Sequence, residues 1–193
     1  MTVLAFLSVY NAKPEGRFRP VAKSSMERRL RDYGAEFEER DGWLVATKLP
    51  HEHELGIRDV SHLGKLEIRG DLDGLDGVIP ITPTRALLIC DAKETKSLHA
   101  KLAKKLDVLD LTGALAGLEI SGPGAETVMR RITAHDLDDL PAAAPVSHVG
   151  PCVLTREGPE SFRIFFPQEY GHYLWEVAVD AAEPLGGGPA VSR

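Results

Sequence analysis

Between Leu115 and Ala182 the spacing of apolar residues switches repeatedly between two periods, which limits the chain to a mixed sheet-and-helix fold. Leu115–Ile120 alternates as a strand does. Ser121-Gly122-Pro123 then opens a helix with Ala125, Val128, Met129 and Ile132 on one face. Leu137–Val146, with Pro141 and Pro145, is a connector. Val149–Thr155 and Phe162–Phe166 are strands around a turn. Pro167 opens a last helix with Tyr170, Leu174, Val177 and Ala181 on its apolar face, since the first helical turn has no use for an N–H. Trp43 and Trp175 are both expected in the core or an interface; Trp175 falls one step off that stripe, where it is open to a partner.

The order β-α-β-β-α is that of a ferredoxin-like unit. Arg85–Asp91, a helix with Leu98, Leu102 and Leu106, and Val108–Leu111 are expected to belong to a related second unit, although no convincing repeat joins the two. The fold class is α+β, with helices packed on one face of the sheets. Upstream, residues 1–23 read as an extended arm. Ser24 and Glu27 have capping-box spacing. Met26, Leu30 and Tyr33 share a helix face, and Gly34 suits its C-terminal cap. Asp41-Gly42 supplies the positive φ of a tight hairpin between Ala35–Glu39 and Trp43–Lys48. Ile57–Val60, Lys65–Arg69 and Val78–Thr82 are further strands, Pro80 marking the last as an edge or a bulge. The expected domains are residues 24–183, divided into 24–111 and 112–183, followed by a loose tail at 184–193.

The 193 residues carry a net charge of −6, a poor match to a phosphate backbone, so nucleic acid is not an expected partner. No apolar run reaches the ~18 residues of a membrane span. Met1–Tyr10 lacks a basic region and a cleavage site, and the expectation is a soluble, cytoplasmic protein. Cys90 and Cys152 read as buried thiols, with a disulfide between them left open. His51, His53 and His62 lie close together, but His51 and His53 point to opposite sides of an extended chain and no distant ligands complete a set, so no metal is expected. Ser121-Gly122-Pro123-Gly124 lacks the Lys-Ser/Thr of a phosphate loop and reads as a helix cap. The neighbours Ser61 and His62 do not make a triad.

Three stretches, in order, resemble the T protein of the glycine cleavage system, an aminomethyltransferase. They are SSMERRLRDYGAEFEERDGW (24–43), GIRDVSHLGKLEIRG (56–70), and Leu115–Ala190 with its LEISGPGAETVMRRIT, LTREG and FRIFFPQEYGHYLWEVAVDAAEPLG segments. The DVSH core is the most specific of these. The last third is also similar to the gamma subunit of heterotetrameric sarcosine oxidase. The family's C-terminal barrel is expected to be absent.

The resemblance implies a tetrahydrofolate-binding domain of one-carbon metabolism. It also implies cofactor-binding positions at Leu63, which stands for the family's Met after DVSH, and at Ile89 and Asp91, where the family has a strand ending in a folate-contacting Asn. Glu160, or else Glu157, stands for the carboxylate that bridges the pterin 2-amino and N3 groups, in a segment shorter than the family's. The family's catalytic Asp lies in a Gly-rich loop. Here the chain runs from LEIRG through DLDGLDG directly to VIPITPTRALLICD, so no catalytic residue is assigned. Asp73 and Asp76 in that stretch read as turn residues. Two functions follow from the resemblance. One is a folate module that has lost the transferase step. The other is a noncatalytic gamma-like subunit of a larger oxidase, demethylase or methyltransferase. A domain of this kind is expected to associate, as a homodimer or with such a partner.

Overall fold

The computed structural model describes residues 20–191. Most of the expected arm lies outside these residues. Its end forms β1 (Ala22–Lys23), which runs parallel to β3 (Trp43–Lys48) in a three-stranded sheet completed by β2 (Glu36–Arg40). Asp41 and Gly42 adopt φ of 50° and 80°, the pair of positive values the hairpin between β2 and β3 needs. α1 (Glu27–Asp32) closes at Gly34, whose N–H bonds to the Arg31 carbonyl while Ala35 bonds back to Leu30. Its start differs from the capping box. Ser24 Oγ accepts from the Met26 N–H at 3.0 Å, and Glu27 pairs with Arg31 instead of reaching back.

The remaining strands form two sheets. The larger has the order β10 (Ala142–Val146), β11 (Val149–Gly158), β12 (Ser161–Pro167), β9 (Leu115–Ser121), β4 (Gly56–Asp59), β13 (Gly188–Pro189). The smaller runs β6 (Val78–Thr82), β7 (Arg85–Cys90), β5 (Gly64–Arg69), β8 (Asp107–Asp110), with Pro80 on edge strand β6 at a register shift. One face of the larger sheet carries α3 (Ala125–Ile132) and α4 (Gly171–Ala182). Phe162, Ile164 and Phe166 of β12 join Val128, Leu174 and Trp175 there in the main core. α2 (Thr95–Leu102) packs on the smaller sheet.

Of the core or interface positions expected for Trp175, the main core is the one found, and the side chain is 1 % exposed. Three expectations are corrected. Pro167 ends β12, and a 3-10 turn at Gln168–Tyr170 precedes α4. The tail is docked over Gly187–Ala190: β13 pairs with β4, and all four residues are buried. The connector at 137–146 also holds an edge strand, β10, which the prolines obscured.

The two sheets exchange strands. β4 belongs to the larger sheet and leads into β5 of the smaller, while β8 of the smaller leads into β9 of the larger. A cut between 111 and 112 therefore does not separate the sheets. The crossings are matched bond for bond. Asp59 Oδ1 accepts from Ser61 N and Asp110 Oδ1 from Thr112 N, each at 2.9 Å. Gly117 N donates to Ser61 Oγ and Lys65 N to Thr112 Oγ1, each at 3.1 Å. Val60 N bonds to Gly117 O and Leu111 N to Lys65 O. Gly70 and Gly122, both at positive φ, donate to the carbonyls of the hairpin residues Thr84 and Glu160. The sequence behind this is Asp-Val-Ser…Leu-Glu-Ile-Arg-Gly at 59–70 and Asp-Leu-Thr…Leu-Glu-Ile-Ser-Gly at 110–122, a repeat hidden by one extra residue.

Ser61→Ala and Thr112→Ala each strand one buried N–H. Each is expected to cost about 1–3 kcal/mol, of similar size in the two variants, as read from urea unfolding.

Candidate ligand-binding site at the strand exchange

The faces of the two sheets that meet at the exchange share a second apolar cluster of Val60, Ile79, Leu87, Val153 and Phe165. Four half-buried residues rim it: Leu63, Ile81, Ile89 and Leu115. Leu63 and Ile89, expected from sequence to line a binding site, are thus brought together. Asp91 stands two residues beyond Ile89 where the chain leaves β7, with extended backbone and an exposed side chain 3.8 Å from Lys93. Glu160 is not brought to this rim. It sits exposed in the β11–β12 turn, at the end of β12 remote from Phe165.

A polar row continues the same face along the larger sheet. Arg58, Glu119, Arg163 and Thr155 are neighbours on four adjacent strands. Glu119 lies 3.8 Å from Arg58 and 2.9 Å from Arg163. Glu157 binds Arg163 at 3.1 Å and accepts from Thr155 Oγ1 at 2.7 Å. So Glu157, not Glu160, is the carboxylate of that segment on this face. The exchange repeats the arrangement in the smaller sheet, where Glu67 is held by Arg69 and Arg85 at 2.5 and 2.8 Å. Burial works against the Glu67 carboxylate, but bonds from Arg85 and Arg69 outweigh it and keep the carboxyl below its ordinary range.

Sequence reading missed the residue beneath the rim. Lys65 is fully buried, and its Nζ donates to the carbonyls of Ser61 and Leu63, each at 2.7 Å. This side chain braces the turn from Ser61 to Leu63. His62 is half-buried, and burial pushes its imidazole down from the ordinary value. Burial likewise raises both thiols, Cys152 to about 11. Both cysteines are free. Asp73 and Asp76 are exposed, and Asp71 accepts from the Asp73 N–H within an exposed turn. Among the described residues no group of three or more His, Cys, Asp or Glu is placed to hold a metal, and no helix is long and apolar enough to cross a membrane.

A hollow of about 380 Å³ opens elsewhere, beside the C-terminal end of α3, where Arg130, Arg131 and His135 line it. Arg130 is engaged by Glu126 and Arg131 by the Ala181 carbonyl. A helix C-terminus also presents carbonyls, which disfavour an anion. The exchange, with its apolar rim and its row of paired charges, has the better chemistry for a flat, amphipathic ligand.

No family model matches the chain. Aminomethyltransferases from Desulforamulus reducens and Caldanaerobacter subterraneus are 23% and 24% identical to it over 79% and 82% of its length. The chain spans 57% and 56% of those two relatives. Among solved structures, the aminomethyltransferase T of the Bartonella henselae glycine cleavage system superposes with a TM-score of 0.66 at 16% identity, covering 89% of this chain and 60% of that one. A chain of heterotetrameric sarcosine oxidase from Corynebacterium sp. U-96 superposes with a TM-score of 0.62 at 18% identity, covering 88% of this chain and 99% of that one.

The chain resembles the T-protein and sarcosine oxidase family. At these identities the likeness to solved structures establishes the fold: mixed α+β with several sheets, of the T-protein and sarcosine oxidase kind.

Proposed function

We propose that the chain is a tetrahydrofolate-binding module of one-carbon metabolism that lacks the transferase step. The observation that carries the proposal is the meeting of Leu63 and Ile89 at one half-buried apolar rim, with Asp91 at the end of the same strand as Ile89. A pterin is a flat ring with apolar faces and a polar edge. The rim suits the faces, and a carboxylate suits the 2-amino and N3 donors. Asp91 is the carboxylate most available for that role, because Glu119 and Glu157 are already held by arginines. Tetrahydrofolate bound there supplies a carrier for a one-carbon unit. The chain's own part is to grip the ring and shield it from water. Exposed Asp73 and Asp76, in a turn without the family's Gly-rich motif, support a binding role over a catalytic one.

Isothermal titration of the full chain with 5-formyltetrahydrofolate tests this. The expected result is a micromolar Kd that weakens about tenfold in Asp91→Ala and is unchanged in Glu160→Gln. No heat at millimolar ligand would overturn the proposal for the isolated chain.

A second reading is a noncatalytic subunit of a larger oxidase or demethylase. It is favoured by the extent of the match to the sarcosine oxidase chain, 99% of which is covered. Co-purification with a larger oxidase or demethylase subunit tests it, and recovery of the chain alone would count against it.

A further inference from the structure

The two halves of the strand exchange differ in kind at one matched position. Gly117 has little room for a side chain: a Cβ there would stand 3.0 Å from the Phe165 ring and 3.1 Å from Val60. Its counterpart is Lys65, whose stem is fully buried between the sheets. Lys65 Nζ lies 2.7 Å from Ser61 O, 2.7 Å from Leu63 O and 3.5 Å from Thr112 O. Three carbonyls surround Nζ, and among the described residues no carboxylate lies within 4.0 Å of it, so an ammonium here is buried without a paired counter-charge. The bonds reach both crossings, and the two short ones fall on the turn that carries Leu63.

We propose that Lys65 is a positioning residue whose uncharged amine clasps the Ser61–Leu63 turn, and that taking up a proton loosens the clasp. Burial is the largest influence on the group and pushes it down to about 7, against the pull of Asp59, Asp110 and Cys90. These stand at the ends of β4, β8 and β7; His62, on the turn itself, is the remaining titrating neighbour.

The sign follows from linkage. With Lys65 solvated, the opened turn holds its proton up to the ordinary lysine range, while the closed turn has lost it above about 7. Between those limits the closed turn gains as pH rises, by up to about tenfold per pH unit in the opening equilibrium. The gain is lost as pH falls toward the lower limit, below which both states are protonated.

The test uses the unliganded full chain, so its failure is separate from any failure of the folate reading. Amide hydrogen-exchange protection factors at Ser61, Leu63 and Thr112 are measured by NMR from neutral to mildly alkaline pH. The Lys65 Cε shift is followed in the same samples. The expected result is protection that rises with pH at these three amides, and a Lys65 that titrates well below the other lysines. Lys65→Met keeps the stem without the proton and is expected to remove the slope; His62→Asn is expected to leave it. If Lys65→Met does not fold, the wild-type titration decides alone. A Lys65 that titrates with the surface lysines, flat protection in the wild type, or the same slope in Lys65→Met would overturn the proposal.

Discussion

Gly122→Ala is expected to destabilise the protein by about 3 kcal/mol or more, the largest loss of any small-residue change at the exchange. Gly122 adopts φ +108°, and a Cβ there would stand 2.0 Å from the Glu54 carbonyl oxygen and 2.8 Å from its carbon. Backbone cannot swing aside as a flexible side chain can. Gly122 also donates to Glu160 O, so any shift of the chain at this point breaks the register of β9 against the β11–β12 hairpin. Its counterpart Gly70, at φ +131°, meets only the end of Leu106 at 3.2 Å, and Gly70→Ala is expected to cost less. Gly42→Ala meets nothing within 4 Å and carries only the left-handed backbone penalty of about 1 kcal/mol. Urea unfolding of the three variants should rank them in that order. Equal costs would mean that the close approach at Glu54 does not constrain the junction.

Leu63→Asp is expected to lower folate affinity about 100-fold while leaving the chain folded. Leu63 is half-buried at the rim, so a carboxylate there keeps contact with water in the free protein. A bound pterin would strip that water and leave the charge against an aromatic face. Leu185→Asp supplies the control. Leu185 is exposed on the turn after α4, and its replacement is expected to leave affinity unchanged. Titration calorimetry on both variants, with circular dichroism to establish folding, separates a lost site from a lost fold.

The parts of the fold legible in the sequence are those fixed by local chemistry. The Asp41-Gly42 turn, the Gly34 cap and the edge position of Pro80 each follow from what one or two residues permit, and each is found. The choice between core and interface for Trp175 was not legible, because the stripe assumed a single helix from Pro167. Three residues of 3-10 turn rotate by 120° each instead of 100°, which turns the following face by about 60°. That brings Trp175 into the core. The docked tail was missed because glycines and prolines look like linker, whereas Gly187 and Gly188 let the backbone approach Leu55 and His53 closely.

For the site, the resemblance led to Leu63, Ile89 and Asp91. It did not lead to Lys65 or to the arginine-held Glu67 and Glu119. A lysine in an alternating strand reads as solvent-facing, and its burial depends on β8 and the Asp110–Thr112 turn, more than forty residues away in the chain. The shared Leu-Glu-Ile-x-Gly of 66–70 and 118–122 was the available signal. The extra residue before it hid the match, and β6, β7, α2 and β8 separate the two copies.

The most direct measurement is an NMR titration of the isotopically labelled full chain with 5-formyltetrahydrofolate, following backbone amides and methyl groups. Saturable shifts are expected to centre on Leu63, Ile89, Asp91 and Leu115 and to leave Arg130, Arg131 and His135 unmoved. Shifts confined to the hollow beside α3, or no saturable shift at millimolar ligand, would contradict a folate site at the strand exchange.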